Sequence, residues 1–183
     1  MSQKTVAKLA ERFGAKVLHT HAQCGDETVV LDRSVIREAC RLLKDDPELA
    51  FDLPIDVTCV DYLGYPGGRT VPYGGRFEVV YHLYSTTQKH RIRLKVPLEA
   101  DDAVVDSVTD VWRGVDWFER EAWDMYGVRF EGHPNLRRIL LYEEFVGHPL
   151  RKDYPRRGYQ PRLPMPRLRG DQVPGRPAPG EDL

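Results

Sequence analysis

Apolar side chains recur along this chain with two periods, one near four residues and one of two, and the switches between them mark out the elements. Val6, Leu9, Ala10 and Phe13 fall at i, i+3, i+4 and i+7, the stripe of a helix buried on one side, and Gly14 can close it in the left-handed conformation. Residues 16–20 and 27–31 read as short strands around the turn-forming pair Gly25-Asp26. Asp32 or Ser34 can then cap a helix that reaches about Asp45. From Leu53 to Leu63 the period is two, with Ile55, Val57 and Cys59 on one face and Asp56, Thr58 and Val60 on the other.

The stretch GYPGGRTVPYGG, residues 64–75, holds five glycines and two prolines, so an exposed excursion is expected between two strands. Phe77, Val79, Tyr81 and Leu83 then share one face of the next strand. Ile92, Leu94 and Val96 point inward from its successor, with Arg91, Arg93 and Lys95 outward, so a hairpin through residues 85–90 with a basic outer face is predicted. Residues 103–108 fit a last short strand. A final helix follows: Asp116 and Glu119 have the spacing of a capping box, Val115, Phe118, Ala122 and Met125 form a buried stripe, and Gly127 stands where the helix ends. Beyond it residues 149–183 hold eight of the 14 prolines and eight Arg or Lys against four Asp or Glu, with almost no apolar period. Such a segment cannot offset its ordering entropy with its own side chains, and is expected to order against something else. The expected architecture is α+β: a two-layer domain over residues 1–148, with a small mixed or antiparallel sheet packed against helices, and an irregular C-terminal extension over 149–183.

Composition narrows the function classes. Of the 183 residues, 41% are apolar and 30% charged, enough for one core with its charges solvated. Twenty-seven basic against 28 acidic residues leave a net charge of -1, which offers no field for nucleic acid or an anionic membrane. The longest apolar run is four residues, Ile139 to Tyr142, against about 20 needed to span a bilayer. The N-terminus has no apolar signal core or small-residue cleavage site, so secretion is not indicated. Cys24, Cys40 and Cys59 are too few and too widely spaced for a disulfide framework or a cluster site, and read as reduced thiols.

Candidate chemistry concentrates in residues 117–127, where Glu119, Glu121 and Asp124 lie close together on one helix. Paired carboxylates can do acid–base work when burial separates their pKa values. Here Glu119 has a capping role open to it, Arg120 and Asp124 are placed to pair at i, i+4, and no nucleophile or oxyanion hole accompanies them, which favours structural duty. His133-Pro134 and His148-Pro149 repeat a dipeptide, yet neither histidine has a partner at zinc-motif spacing. The glycine-rich loop matches no phosphate-binding motif. The tail interleaves arginine with Tyr154, Tyr159 and Met165, a composition suited to single-stranded nucleic acid and equally to protein interfaces; the near-zero net charge favours the interface.

The run EREAWDMYGVRFEGHPNLRRIL, from Glu119 to Leu140, followed by GHPLRKDYP from Gly147 to Pro155, closely resembles the signature of the 30-kDa, or C-type, subunit family of proton-translocating NADH:quinone oxidoreductase, respiratory complex I. DVTCVDYLG, RFEVVYHLYS and HRIRLKVPL resemble the family upstream. The resemblance implies a non-catalytic subunit of the peripheral arm, on the cytoplasmic side of the membrane and attached to it only through the complex. It implies no cofactor in this chain, with FMN and iron–sulfur clusters in partner subunits, and packing against the quinone-site D subunit and the cluster-bearing B, I and G subunits. Carried onto this sequence, the signature positions are Glu119, Arg120, Glu121, Asp124, His133, Arg137, Arg138, His148, Arg151, Lys152, Asp153 and Tyr154. Arg137, Arg138, Arg151 and Lys152 are expected to make charge-assisted contacts with a partner. The equivalent subunit of a membrane-bound [NiFe] hydrogenase or of a ferredoxin- or F420-dependent quinone oxidoreductase shares the motif and is the alternative.

Overall fold

A computed structural model of the chain describes residues 2–65 and 73–159. Helix α1 (Ser2–Phe13) buries Thr5, Leu9 and Phe13, while Ala10, expected on the stripe, faces solvent. Strands β1 (Val17–Gln23) and β2 (Asp26–Leu31) form a hairpin whose two-residue loop is Cys24-Gly25, both at positive φ as a tight hairpin turn requires. The turn therefore lies one residue earlier than the pair expected. Asp32 accepts from the Ser34 amide at 2.9 Å, opening a single 3-10 turn that leads into α2 (Ile36–Asp45).

Strands β3 (Leu53–Asp61), β4 (Phe77–Ser85) and β5 (His90–Leu98) complete a mixed five-stranded sheet in the order β1-β2-β5-β4-β3. Only β2 and β5 run parallel; the other three pairings are antiparallel. A register shift between Pro54 and Asp56 leaves Ile55 exposed on β3, an edge strand where a proline costs no ladder bond. One face of the sheet carries Val29, Leu31, Val57, Val79, Tyr81, Leu94 and Val96 into a single core with α1, α2, Trp112, Val115 and Ala122. That is the two-layer α+β arrangement read from the periods.

The outer face is less basic than its alternation suggests. Lys95 lies 2.6 Å from the fully buried carboxylate of Glu78, which also accepts the phenols of Tyr62 at 3.0 Å and Tyr73 at 3.3 Å. Burying that pair works because both charges meet partners. Gly75 has φ +92 and its α-carbon faces the β5 backbone so closely that a Cβ would meet the Leu98 carbonyl oxygen at 2.8 Å. The expected 64–75 excursion falls partly outside the described residues, as does the extension beyond residue 159.

The chain continues through β6 (Val104–Asp106), α3 (Asp116–Tyr126) and β7 (Arg129–Glu131), with β6 and β7 paired in parallel. Helix α3 lies against β3 and buries Glu119, Ala122, Asp124 and Met125, with Val115 buried just before it. Residues 132–159 then run back along α3 without regular structure. Leu94 sits at the centre of the core, so Leu94→Ala should lower the unfolding free energy by about 2–5 kcal/mol in denaturant titrations; a change under about 1 kcal/mol would contradict this packing.

Candidate protein-interaction site

The signature residues converge on α3, and most of them turn inward. Asp124 is fully buried. Its Oδ1 accepts from the Arg138 guanidinium at 2.5 Å, and its Oδ2 accepts three successive amides, Ile139 at 3.1 Å, Leu140 at 2.9 Å and Leu141 at 3.0 Å. Burial pushes its carboxyl pKa up, but Arg138 and the three amides outweigh that and hold it below the usual range. Arg120, expected to pair with Asp124, instead donates to the carbonyls of Arg137 at 3.1 Å and Arg138 at 3.0 Å. The second nitrogen of Arg138 reaches the carbonyls of Phe145 at 2.7 Å and Gly147 at 3.2 Å. The backbone of 137–147 is thus pinned to α3 from both ends.

The C-terminus of α3 is capped by distant chain. Its last four carbonyls have no partner inside the helix. Gly127, at φ +77, gives its amide to Trp123 at 2.8 Å; Nδ1–H of His148 donates to Asp124 at 2.9 Å, the Leu150 amide to Met125 at 3.1 Å, and Arg151 to Tyr126 at 2.5 Å. A cation at that end also suits the helix dipole. The fit is close: a Cβ on Gly127 would stand 2.5 Å from Arg151 and 2.6 Å from His148. Beyond it Arg76 bridges buried Asp61 at 2.8 Å and Asp153 at 2.7 Å, and the Lys152 amide bonds Asp61 at 2.9 Å. Tyr142, Phe145, Tyr154 and Tyr159 follow as a ladder of rings at 5.5, 6.1 and 5.6 Å.

Three expectations change on this geometry. The Asp116/Glu119 capping box does not form, because Val115 is the N-cap and Glu119 reaches away from the helix to the Ser107 hydroxyl at 2.6 Å and the Val108 amide at 2.8 Å. Of the four cations expected to contact a partner, Arg138 and Arg151 have their guanidiniums on this chain's own carbonyls and carboxylate, while Arg137 and Lys152 are exposed. Packing also continues past residue 148, since 150–153 close the helix and the Asp61 ion pair. His133 bonds locally, Nε2–H to the Asp116 carbonyl at 3.3 Å and Nδ1 from the Asn135 amide at 3.0 Å, and among the described residues no group of three or more His, Cys, Asp or Glu is placed to hold a metal ion. Glu121 is exposed.

With its polar groups turned in, the segment turns apolar ones out. Leu140 is 61% exposed, Val146 62% and Trp117 68%, with Tyr142, Leu150 and Tyr159 also exposed. Clustered exposed apolar residues on a folded chain mark an interaction surface. The sequence signal for them is the run Ile139 to Tyr142, which reads equally as core. Glu119 and Asp124 are bound within the chain, and the exposed apolar side chains offer a surface for docking.

Comparison with known proteins agrees with this geometry. Residues 29–160 match the family model described as the respiratory-chain NADH dehydrogenase 30-kDa subunit. A protein of Acidithiobacillus ferrooxidans, named as the C subunit of NADH-quinone oxidoreductase, is 51% identical over 149 residues, 80% of this chain and 72% of its own length. A protein of Citrifermentans bemidjiense with the same name is 46% identical over 157 residues, 86% of this chain and 91% of its own. Among solved structures, the trypsin-resistant fragment (1-134) of Nqo5 is 31% identical with a TM-score of 0.61, over 74% of this chain and all of that fragment. A polypeptide of an archaeal membrane-bound sulfane sulfur reductase shares the fold, at 22% identity and a TM-score of 0.60 over 78% of each chain.

Removing one partner of a buried ion pair strands the other, so Asp124→Ala should cost about 3–5 kcal/mol and speed hydrogen exchange at the amides of 139–141. Unchanged exchange at those amides would rule out the clamp.

Proposed function

The chain belongs to the 30-kDa subunit family of the respiratory-chain NADH dehydrogenase, and from that premise we propose that it works as a scaffold whose own residues carry no electron and hold no substrate. It is a subunit of NADH:quinone oxidoreductase, in the peripheral arm, and its partners are other subunits of that complex. Among the described residues no helix is long and apolar enough to cross a membrane, which fits peripheral attachment. The finer reading is that the chain sits on the cytoplasmic side, packs chiefly against the quinone-site D subunit and near the cluster-bearing B, I and G subunits, and leaves FMN and the iron–sulfur clusters to its neighbours.

One observation carries this reading. The signature Asp124, Arg138, His148 and Arg151 satisfy one another or the end of α3, and the segment they fix presents Leu140, Tyr142, Val146 and Leu150 to the outside. A fixed loop loses little entropy on docking, so its apolar side chains bind with little ordering cost. Exposed Arg137, Lys152 and Glu121 supply the polar rim of such a surface.

Charge placed on that surface separates docking from folding. Leu140→Asp and Val146→Asp should change the unfolding free energy of the isolated chain by no more than about 0.5 kcal/mol, as exposed sites do, while co-purification with the other subunits falls at least tenfold. Normal assembly of both variants would remove this face as the docking site. The isolated full chain should also show no visible absorption band and no stoichiometric iron or flavin; finding either would end the scaffold reading.

A further inference from the structure

Four carboxylates are buried in the described chain: Asp61, Glu78, Glu119 and Asp124. Three have a cation within ion-pair distance, Arg76 for Asp61, Lys95 for Glu78 and Arg138 for Asp124. Glu119 has none. Its carboxyl group meets two neutral donors, the Ser107 hydroxyl at 2.6 Å and the Val108 amide at 2.8 Å. An unpaired charge in a core is costly, and a carboxyl group avoids the cost by holding its proton.

The groups facing Glu119 strengthen this. From the segment after β6 come Ser107, Thr109 and Asp110, all acidic or neutral. Helix α2 contributes the buried thiol of Cys40, and its Arg37 and Arg41 are both engaged on Asp110. Strand β4 contributes Tyr81, whose buried hydroxyl has no hydrogen-bond partner and is pushed up by burial first and by the Glu119 charge second. On β3, Cys59 is neutral and Asp61 is held by Arg76. On α3 itself Asp116 repels, and Arg120 is turned to the carbonyls of 137 and 138. Near β7, Arg129 and Glu131 are exposed and His133 bonds the Asp116 carbonyl.

A route to solvent is also present. The Ser107 hydroxyl lies 2.8 Å from that of Thr109, which is half-buried and lines a surface cavity of about 410 Å³ with Asp110, Arg113 and Asp116. Both hydroxyls can reverse. With Glu119 ionised, Ser107 donates to it; with Glu119 protonated, the acid proton donates to Ser107 and Ser107 donates to Thr109. Either state is fully hydrogen-bonded, and a proton passes from cavity to core by concerted hops: Ser107 gives its proton to Glu119, Thr109 gives its proton to Ser107, and cavity solvent restores that of Thr109; rotation of the two hydroxyls then resets the chain.

We propose that Glu119 is a proton-binding site, loaded from the surface cavity through Ser107 and Thr109, which exchanges its proton independently of how the chain docks. Burial raises its pKa from the ordinary glutamate value up to about 7, against the opposing pull of Ser107 and Val108. The folded state then binds more protons than the unfolded one between those two values, so stability is greatest below the lower and falls as pH rises through the upper.

Infrared difference spectra of the full chain across pH test this directly. A protonated-carboxyl band that persists to about pH 7 and is missing from Glu119→Gln is expected, together with a flatter stability profile for that variant between pH 5 and 7, roughly the window set by the shift. Should Glu119→Gln fail to fold, Ser107→Ala keeps the carboxyl and removes a donor to its charged form, so the same band should persist about one pH unit higher. A band lost by about pH 5.5, near the ordinary glutamate range, or a midpoint untouched by Ser107→Ala, overturns the proposal.

Discussion

Much of this chain's shape depends on one buried carboxylate placed where a helix least welcomes it. Asp124 stands in the last turn of α3, where the helix dipole is already negative and burial adds a desolvation cost. Arg138 and the amides of 139–141 offset both terms, because charge-assisted hydrogen bonds gain strength away from water. Those four donors belong to a segment with no regular structure of its own. The electrostatic need of the helix is therefore what gives residues 137–147 a single conformation, and His148 and Arg151 close the same helix end.

A consequence follows for the exterior. A loop whose carbonyls and amides are satisfied on its inner side is free to carry apolar side chains on its outer side without folding onto them. Leu140 and Val146 would be poor choices on a mobile loop and are suitable on a fixed one. The aromatic ladder from Tyr142 to Tyr159 extends the same rigid edge toward the C-terminal extension. On the scaffold reading the motif works in two ways: its buried members shape the surface from behind, and its exposed members Arg137, Lys152 and Glu121 edge it.

Sequence periodicity was sufficient for the layers, since most of each stripe on α1 and α3 and of each alternating face on β3 to β5 is buried, with Ala10 and Ile55 the exposed exceptions. It failed where a side chain had two partners at equivalent spacing. Glu119 fits a capping box by number, but its bonds go to Ser107 and Val108, 12 and 11 residues upstream, brought near only by the strand β6. Arg120 and Asp124 sit at i, i+4, yet each finds stronger partners in the returning chain. The run Ile139 to Tyr142 looks like core because hydropathy carries no information about which side of a loop its anchors occupy. Lys95, read as a solvent-facing cation, meets a glutamate on the neighbouring strand that alternation alone treats as exposed.

On the scaffold reading proposed above, the signature acts through folding and assembly rather than through chemistry, and NADH:quinone turnover per assembled complex tests that most directly. It is measured beside the amount assembled, in cells carrying Asp124→Asn. Fewer complexes are expected, each turning over at the wild-type rate. Full assembly with turnover lost would contradict it.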